Sequence, residues 1–377
     1  MTERININKE NLIWAIARAG FNLDKFLEEN LSVAAWIDGN KQPTIKQLEN
    51  FAHKVSVPFG YLFLEKHPKE VIPITFFRTK RNHHPFYLNI YDTVLMIQRR
   101  QDWVSEQKKE DGCDQLDFIG KFTTDSSLEE VVNYVRGLLD YSPNWAFDKK
   151  DQGEAVRKLT QVVENVGCFV SFLTQVGNQP KRKIAVDDCR GFALCDAYAP
   201  FIFINNADSN TAQVFTLFHE FAHLLLGQSA GDGNGNSEDN EVEKFCDEVA
   251  GNLLVDGKLL CHQWSHYSKD CVRLGHKFRV SPLVIAYRAL ENTLITEDEY
   301  WMYYRIYNKK PIPEKQRSNG GDSYRTAVKR LGYSFLIYIR NAVKSNRLLY
   351  SDAYALTGYH GDMFERLIGN RRNKCKG

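Results

Sequence analysis

The sequence of 377 residues has no long hydrophobic run, no closely spaced cysteine pair and almost no net charge. No apolar stretch approaches the ~20 residues that a membrane-spanning helix needs, which argues against an integral membrane protein. The eight cysteines include no C-x-x-C pair, and a chain of this length does not need disulfides to build a core. The formal net charge of +2 gives the whole chain no electrostatic reason to bind nucleic acid or a membrane surface.

The start of the chain and the cysteines indicate the same compartment. Met1 is followed by polar and charged residues, so we expect no secretory signal. Unpaired cysteines are typical of proteins kept reduced. We therefore expect a cytoplasmic protein, long enough for two or three compact units.

Hydrophobic periodicity predicts helices over most of the chain. Residues 8–63 show apolar positions at helical spacing, which predicts four or five short helices, and a proline-containing connector follows at about 67–85. Helical patterns resume near residue 88, and the runs CFVSFL, KIAVDD, GFALCD and FIFIN predict strands. Two further helices, at about 211–226 and 241–255, flank a glycine-rich loop. The predicted fold is α+β, mostly helical with one small sheet.

The first of these two helices contains three polar groups within an apolar stretch, FTLFHEFAHLLLG. His219 and His223 are four residues apart and share a helix face, so both imidazoles can bind one metal ion. Glu220 lies beside them and can take a proton from a water at the metal. From composition, about 0.02 matches to H-E-x-x-H are expected by chance, which favours a metal site over ordinary buried histidines.

A catalytic zinc needs a third protein ligand and one open position. The helix after the glycine-rich loop carries an apolar stripe, and Glu243 and Asp247 lie along its border. We predict that Glu243 completes a His-His-Glu site and that Asp247 accepts the far ring N–H of a ligand histidine. Glu241 and Glu238 are the competing ligands.

These two stretches, FTLFHEFAHLLLG and EVEKFCDEVAGNLLV, resemble the ImmA/IrrE family of zinc metallopeptidases. The resemblance implies a zincin-like core, in which Glu243 is the metal ligand and Cys246 takes the position of a small residue. Asp247 stands where Asn is usual, which makes the stretch similar to the Glu-x-x-x-Asp of thermolysin-like enzymes. VSVPFGYLFL, RRQDWVSE and FRVSPLVIAYRALENTLIT also resemble longer family members.

The resemblance implies a zinc-dependent endopeptidase, since members of the family are associated with cleaving helix-turn-helix repressors or antitoxins. Glu220 is then the general base, and it passes its proton to the leaving amine. Tyr198, His262 and Tyr267 are candidates for stabilising the oxyanion, by position alone. We also expect an extended substrate to add to the edge of the strands at GFALCD and FIFINN.

The N-terminal stretch resembles an XRE-type helix-turn-helix domain, whose third helix would be about Ser32 to Asp38. The segment SVAAWID offers almost nothing to read base edges or to grip phosphates. Residues 1–70 also hold nine basic and nine acidic residues. This favours recognition of a protein, such as a similar domain in the substrate, over binding of DNA.

These predictions divide the chain into four parts. The C-terminal part is basic, because residues 301–377 hold sixteen Lys and Arg against five Asp and Glu. The predicted parts are an XRE-like domain at 1–66, a linker and helical segment at 67–150, a zincin-like metallopeptidase domain at 151–308 and a basic helical domain at 309–377.

Two other functions remain open from the sequence. The chain could be a DNA-binding transcriptional regulator, or the zinc could be structural or sensory without turnover. The metal itself could be Mn²⁺ or Fe²⁺, because selectivity depends on geometry and supply.

Overall fold

Seventeen α-helices, one 3-10 helix and four strands make up the computed structural model, which describes residues 4–68, 85–231, 237–307 and 322–369. The described chain forms two units, one of residues 4–68 with 85–93 and one of the residues from 94 onward. The predicted α+β class, mostly helical with a small sheet, is confirmed.

The first unit is a cluster of short helices around its own apolar core. Asn8, Asn22 and Thr44 cap three of them, and Thr44 forms a capping box with Gln47. The helices are α1 (Lys9–Arg18), α2 (Leu23–Glu29), α3 (Leu31–Ile37), α4 (Ile45–Lys54) and the 3-10 helix η1 (Phe59–Phe63). Their buried residues include Leu12, Ile16, Phe26, Trp36, Leu48 and Phe51.

The second unit contains the remaining helices, and its apolar core is larger. Helix α5 (Pro85–Glu110) begins in the first unit and continues into the second. The helices that follow are α6 (Leu128–Leu138), α7 (Gln152–Asn165), α8 (Asn210–Leu225), α9 (Ser237–Leu254), α10 (Gly257–His266), α11 (Cys271–Phe278), α12 (Pro282–Glu291), α13 (Glu297–Tyr307), α14 (Ser323–Leu331), α15 (Tyr333–Lys344), α16 (Tyr350–Thr357) and α17 (Gly361–Leu367).

The sheet of the second unit has the order β1-β3-β2-β4. Its strands are β1 (Phe169–Leu173), β2 (Gly191–Leu194), β3 (Phe201–Asn205) and β4 (Ala230–Gly231). Strand β3 is parallel to β1 and antiparallel to β2, and every residue of these three strands is buried. Helix α8 packs against β2 and β3, whereas α14 and α15 pack against β1. The sheet therefore supports the helix that carries H-E-x-x-H.

The predicted strand at KIAVDD, residues 183–188, is wrong. Only Lys183 forms a β-bridge, with Gln175, and the segment then turns. The side-chain amide of the buried Asn205 donates to the carbonyl of Ile184 at 3.1 Å, and Cys189 N–H donates to the carbonyl of Ala185. Because these bonds hold the backbone in a turn, the segment does not continue as a strand of the sheet.

None of the helices in residues 4–68, 85–231, 237–307 and 322–369 is both long enough and apolar enough to span a membrane.

Candidate metal centre

Helix α8 brings two imidazoles to one point. Ser209 caps the helix by accepting from Ala212 N–H, and the residues that follow are buried almost without interruption. The Nε2 atoms of His219 and His223 lie 3.2 Å apart. This is the arrangement that spacing of four along a helix predicts.

Helix α9 supplies the carboxylate. Its buried stripe packs against α8 through Phe245, Cys246, Val249, Ala250 and Leu253. Glu243 borders this stripe, and its Oε2 and Oε1 lie 3.1 Å from His219 Nε2 and 3.4 Å from His223 Nε2. The three groups can therefore each direct a ligand atom at a shared centre.

The spacing of the three ligand atoms fits a tetrahedral ion. Four ligands at about 2.1 Å from a zinc ion are separated from one another by about 3.4 Å. The separations between the atoms of His219, His223 and Glu243 are 3.2, 3.1 and 3.4 Å. Two neutral nitrogens and a carboxylate are also donor types that zinc accepts. The residues thus fit a divalent cation.

Asp247 fixes the orientation of one ligand. Its Oδ1 accepts a hydrogen bond at 2.8 Å from Nδ1 of His219, so Nε2 is the ring nitrogen that would bind a metal at the centre. The side chain of Asp247 is half exposed, and it stands one helical turn after Glu243. Glu241 is exposed and lies outside the cluster, and the side chain of Glu238 lies outside the described residues.

The charges at the centre perturb the pKa values of its members. Burial raises the pKa of Glu243, but hydrogen bonds from His219 and His223 outweigh it and hold the value at about 2. Burial lowers the pKa of His219, but Asp247 and Glu243 together bring it well above its usual value. Burial dominates for His223, whose pKa is lowered. Because metal ligands must be deprotonated, a bound cation would compete with a proton for these groups.

The C-terminal end of α9 is held by side chains from other helices and loops. Arg136 donates to the carbonyl of Asn252, Tyr141 to that of Leu253 and Trp145 to that of Leu254. These bonds satisfy carbonyls that a helix end otherwise leaves unpaired. The helix that carries Glu243 and Asp247 is thereby fixed against its neighbours.

The Glu220 carboxylate lies against the sheet and within electrostatic range of His219. It is fully buried, and a Cβ added to Gly191 on β2 would lie 3.0 Å from its Oε1. Strand β2 can approach the carboxylate this closely because residue 191 has no side chain. The base predicted from the sequence therefore lies between α8 and β2.

The three predicted oxyanion residues make their described contacts elsewhere. Tyr198 Oη accepts from Gln115 at 3.4 Å, the ring of Tyr267 lies against His266, and His262 is exposed on α10. Their role stays a prediction.

Tyr287 and Tyr300 are two tyrosines near Asp247 that the sequence did not single out. Burial raises the pKa of each phenol, and the Asp247 carboxylate adds to both shifts, so both are within its electrostatic range. The aromatic density of α13 is visible in the sequence, but the packing of α12 between α13 and α9 is not.

The outer edge of β2 is partly paired with the chain itself. Ala193 and Phe192 are opposite Ala230 and Gly231 of β4, and Cys195 N–H donates to Ser229 Oγ at 2.8 Å. An extended substrate could add to β2 at these positions only after β4 separates from it.

Residues 176–290 match the IrrE N-terminal-like domain, family Peptidase M78. The match covers strands β2 and β3, helix α8 and helix α9, and it supports the ImmA/IrrE resemblance and a metallopeptidase-like domain. Residues 331–370 match a domain of unknown function, DUF8813. No curated protein matches the chain. The helix-turn-helix assignment of residues 1–66 and the division of the chain into four parts stay predictions.

Proposed function

We propose that the protein is a zinc-dependent endopeptidase that hydrolyses a peptide bond in a protein partner. The observation that carries this proposal is the convergence of His219, His223 and Glu243 at the separations of a tetrahedral site. The Peptidase M78 match supports the reaction class independently of that geometry.

The bound metal would supply a Lewis acid that polarises the scissile carbonyl and makes water a nucleophile near neutral pH. The residues of the chain provide the rest. Asp247 holds the tautomer and ring orientation of His219 through the bond to Nδ1. Glu220 takes the proton of the attacking water and delivers it to the leaving amine. Its burial excludes bulk water from that proton transfer.

We propose a helix-turn-helix repressor or antitoxin as the substrate, by analogy with the family that the motifs resemble. The module at residues 1–66 would then recognise a similar protein domain rather than DNA. We also propose a cytoplasmic location, which is supported by the seven described cysteines, none of which is in a disulfide.

The test compares Glu220→Gln with the parent chain. Elemental analysis should find equal zinc in both proteins, because Glu220 is not a ligand. Cleavage of candidate helix-turn-helix substrates should fall by about 10²–10⁴-fold in the variant, the usual contribution of general acid–base catalysis.

Two controls separate this function from the alternatives. His219→Ala should lose both metal and cleavage, because it removes a ligand. If Glu220→Gln cleaves as fast as the parent, Glu220 is not the base and the proposed mechanism is wrong. If the parent holds zinc but cleaves no candidate substrate, the zinc is structural or sensory. If manganese or iron copurifies and supports cleavage where zinc does not, the metal assignment changes while the ligands stand.

A further inference from the structure

Four aromatic residues form a continuous strip on helices α12 and α13. The strip consists of Tyr287, Tyr300, Trp301 and Tyr304. The ring centroids of Tyr287 and Tyr300 are 6.2 Å apart, those of Tyr300 and Trp301 are 5.4 Å apart, and those of Trp301 and Tyr304 are 5.5 Å apart. Each ring is thus within the distance of an aromatic pair from the next.

One end of the strip lies against the helix that carries Glu243 and Asp247. A Cβ added to Gly251 on α9 would be 4.0 Å from the ring of Tyr287, which places Tyr287 against that helix. Gly251 stands four residues after Asp247 and eight after Glu243, so all three share one face of α9, with Gly251 about 12 Å along the helix from Glu243. A chain lying on the strip would therefore extend towards the metal ligands.

The other end of the strip is exposed. Trp301 is 44% exposed, and Met302 and Ile306 beside it on α13 are about half exposed. No residue of α13 is fully buried. Large aromatic and apolar side chains grouped on a surface in this way are typical of interaction sites.

The borders of the strip are acidic. The first turn of α13 consists of Glu297, Asp298 and Glu299, and Glu297 accepts a hydrogen bond from Trp301 Nε1 at 3.2 Å. At the other end, Glu291 and Glu248 lie within electrostatic range of Tyr287; Glu291 pairs with Arg288 and Glu248 with the exposed Lys244. Arg305 is the one basic residue in the sequence of α13. Aromatic faces beside carboxylates attract cationic side chains.

We propose that the aromatic strip is the docking surface for the substrate chain beside the scissile bond, and that it selects segments in which Arg or Lys accompanies apolar residues. Guanidinium or ammonium groups would lie over the tyrosine and tryptophan rings and pair with the acidic border. The apolar residues of the same segment would cover Trp301 and Met302. This inference rests on the proposed function, since it assigns a substrate class to the same site.

The test measures binding without hydrolysis, in the full chain carrying Glu220→Gln. The probe is a fluorescein-labelled peptide rich in Arg, Lys and Leu, and its partner has Glu and Asp in place of Arg and Lys. Anisotropy should show the basic peptide binding at least about tenfold more tightly, and added salt should reduce this difference. Trp301→Ala should weaken binding of the basic peptide about tenfold.

Tyr333→Ala is the matched control, because this tyrosine is 60% exposed on α15 and lies outside the strip. Its binding should equal that of the parent. Equal binding of the two peptides, or unchanged binding in Trp301→Ala, would overturn the proposal. If Trp301→Ala instead dissociates a dimer in sedimentation, the strip binds a second copy of the chain and the substrate assignment is wrong.

Failure here is distinguishable from failure of the proposed function. For this comparison, Trp301→Ala is also made in the chain that keeps Glu220. If that variant cleaves the partner protein as fast as the parent does, the peptidase assignment stands and the docking surface is wrong. If the chain binds the basic peptide through Trp301 but never hydrolyses a bond, the peptidase assignment is wrong instead.

Discussion

Gly191 is the residue that sets how closely the sheet approaches the Glu220 carboxylate. In Gly191→Ala the new methyl would lie 3.0 Å from Glu220 Oε1 and would also press on Thr216. We expect the free energy of unfolding to fall by about 1–3 kcal/mol, the usual cost of overpacking. Cleavage should fall as well, because the base is displaced, whereas the zinc content should not change.

Urea unfolding and elemental analysis measure these effects. Gly137→Ala is the control, because its Cβ on α6 would meet nothing within 4 Å. That change should stabilise the helix by up to about 1 kcal/mol. A Gly191→Ala protein as stable and as active as the parent would show that Glu220 does not depend on the close approach of β2.

In the proposed site, Asp247 would act on the metal through His219. Removing the carboxylate in Asp247→Ala leaves Nδ1 of His219 without its acceptor, so the imidazole loses its fixed tautomer. We expect zinc affinity to fall about 10–100-fold, as is usual when such a partner is lost. Competition with a chromogenic chelator measures this affinity.

Glu248→Ala is the control on the same helix, since Glu248 pairs with the exposed Lys244. Its zinc affinity should match that of the parent. If both variants bind zinc equally well, Asp247 has no part in orienting the ligand.

At the scale of elements, the side chain of Glu164 at the end of α7 contacts the start of α15. Its Oε1 accepts from Ser334 N–H at 3.2 Å, and burial raises its pKa to about 7. Gly332, with φ of +82°, lets the turn before α15 pass close to the carbonyl of Val170 on β1. A buried carboxyl group thus lies where α15 meets the sheet.

The raised pKa of Glu164 predicts a stability that falls as pH rises. At a pH below about 4.5, the usual pKa of glutamate, the carboxyl is protonated in both the folded and the unfolded chain. Its burial then does not lower the free energy of unfolding through ionisation. Between pH 4.5 and 7 the unfolded chain releases the proton while the folded chain keeps it, so stability is lost, by about 3 kcal/mol in total. Glu164→Gln should remove this loss in urea unfolding across that range. Glu106→Gln, at an exposed position on α5, should keep it.

Local pattern predicted some elements closely and missed others. The predicted helix at 211–226 is α8, Asn210–Leu225, because its apolar spacing and its serine cap are both local signals. Strand β4 has two residues, too few for any pattern, and KIAVDD has the pattern of a strand but turns because Asn205 binds its backbone. The position of Tyr287 beside α9 depends on helix packing, which spacing along one helix does not contain.

At the scale of the whole molecule, the chemistry lies in the second unit. His219, Glu220, His223 and Glu243 all belong to it, and the first unit has a separate core. Helix α3 of the first unit corresponds to the predicted third helix, and its seven residues, LSVAAWI, include no basic side chain. Only Asn30 separates it from α2.

The composition of α3 predicts weak, salt-insensitive binding of DNA by the full chain. A protein that contacts six to ten phosphates loses about 10³–10⁵ in affinity between 50 and 200 mM salt. We expect less than about a tenfold change for this protein on random duplex DNA, measured by anisotropy at these two salt concentrations.

Leu31, the first residue of α3, is 76% exposed, and a groove-reading helix would present this position to the DNA. Leu31→Arg should therefore leave binding unchanged if α3 recognises protein. A slope that steepens by about one phosphate in Leu31→Arg would assign α3 to DNA instead.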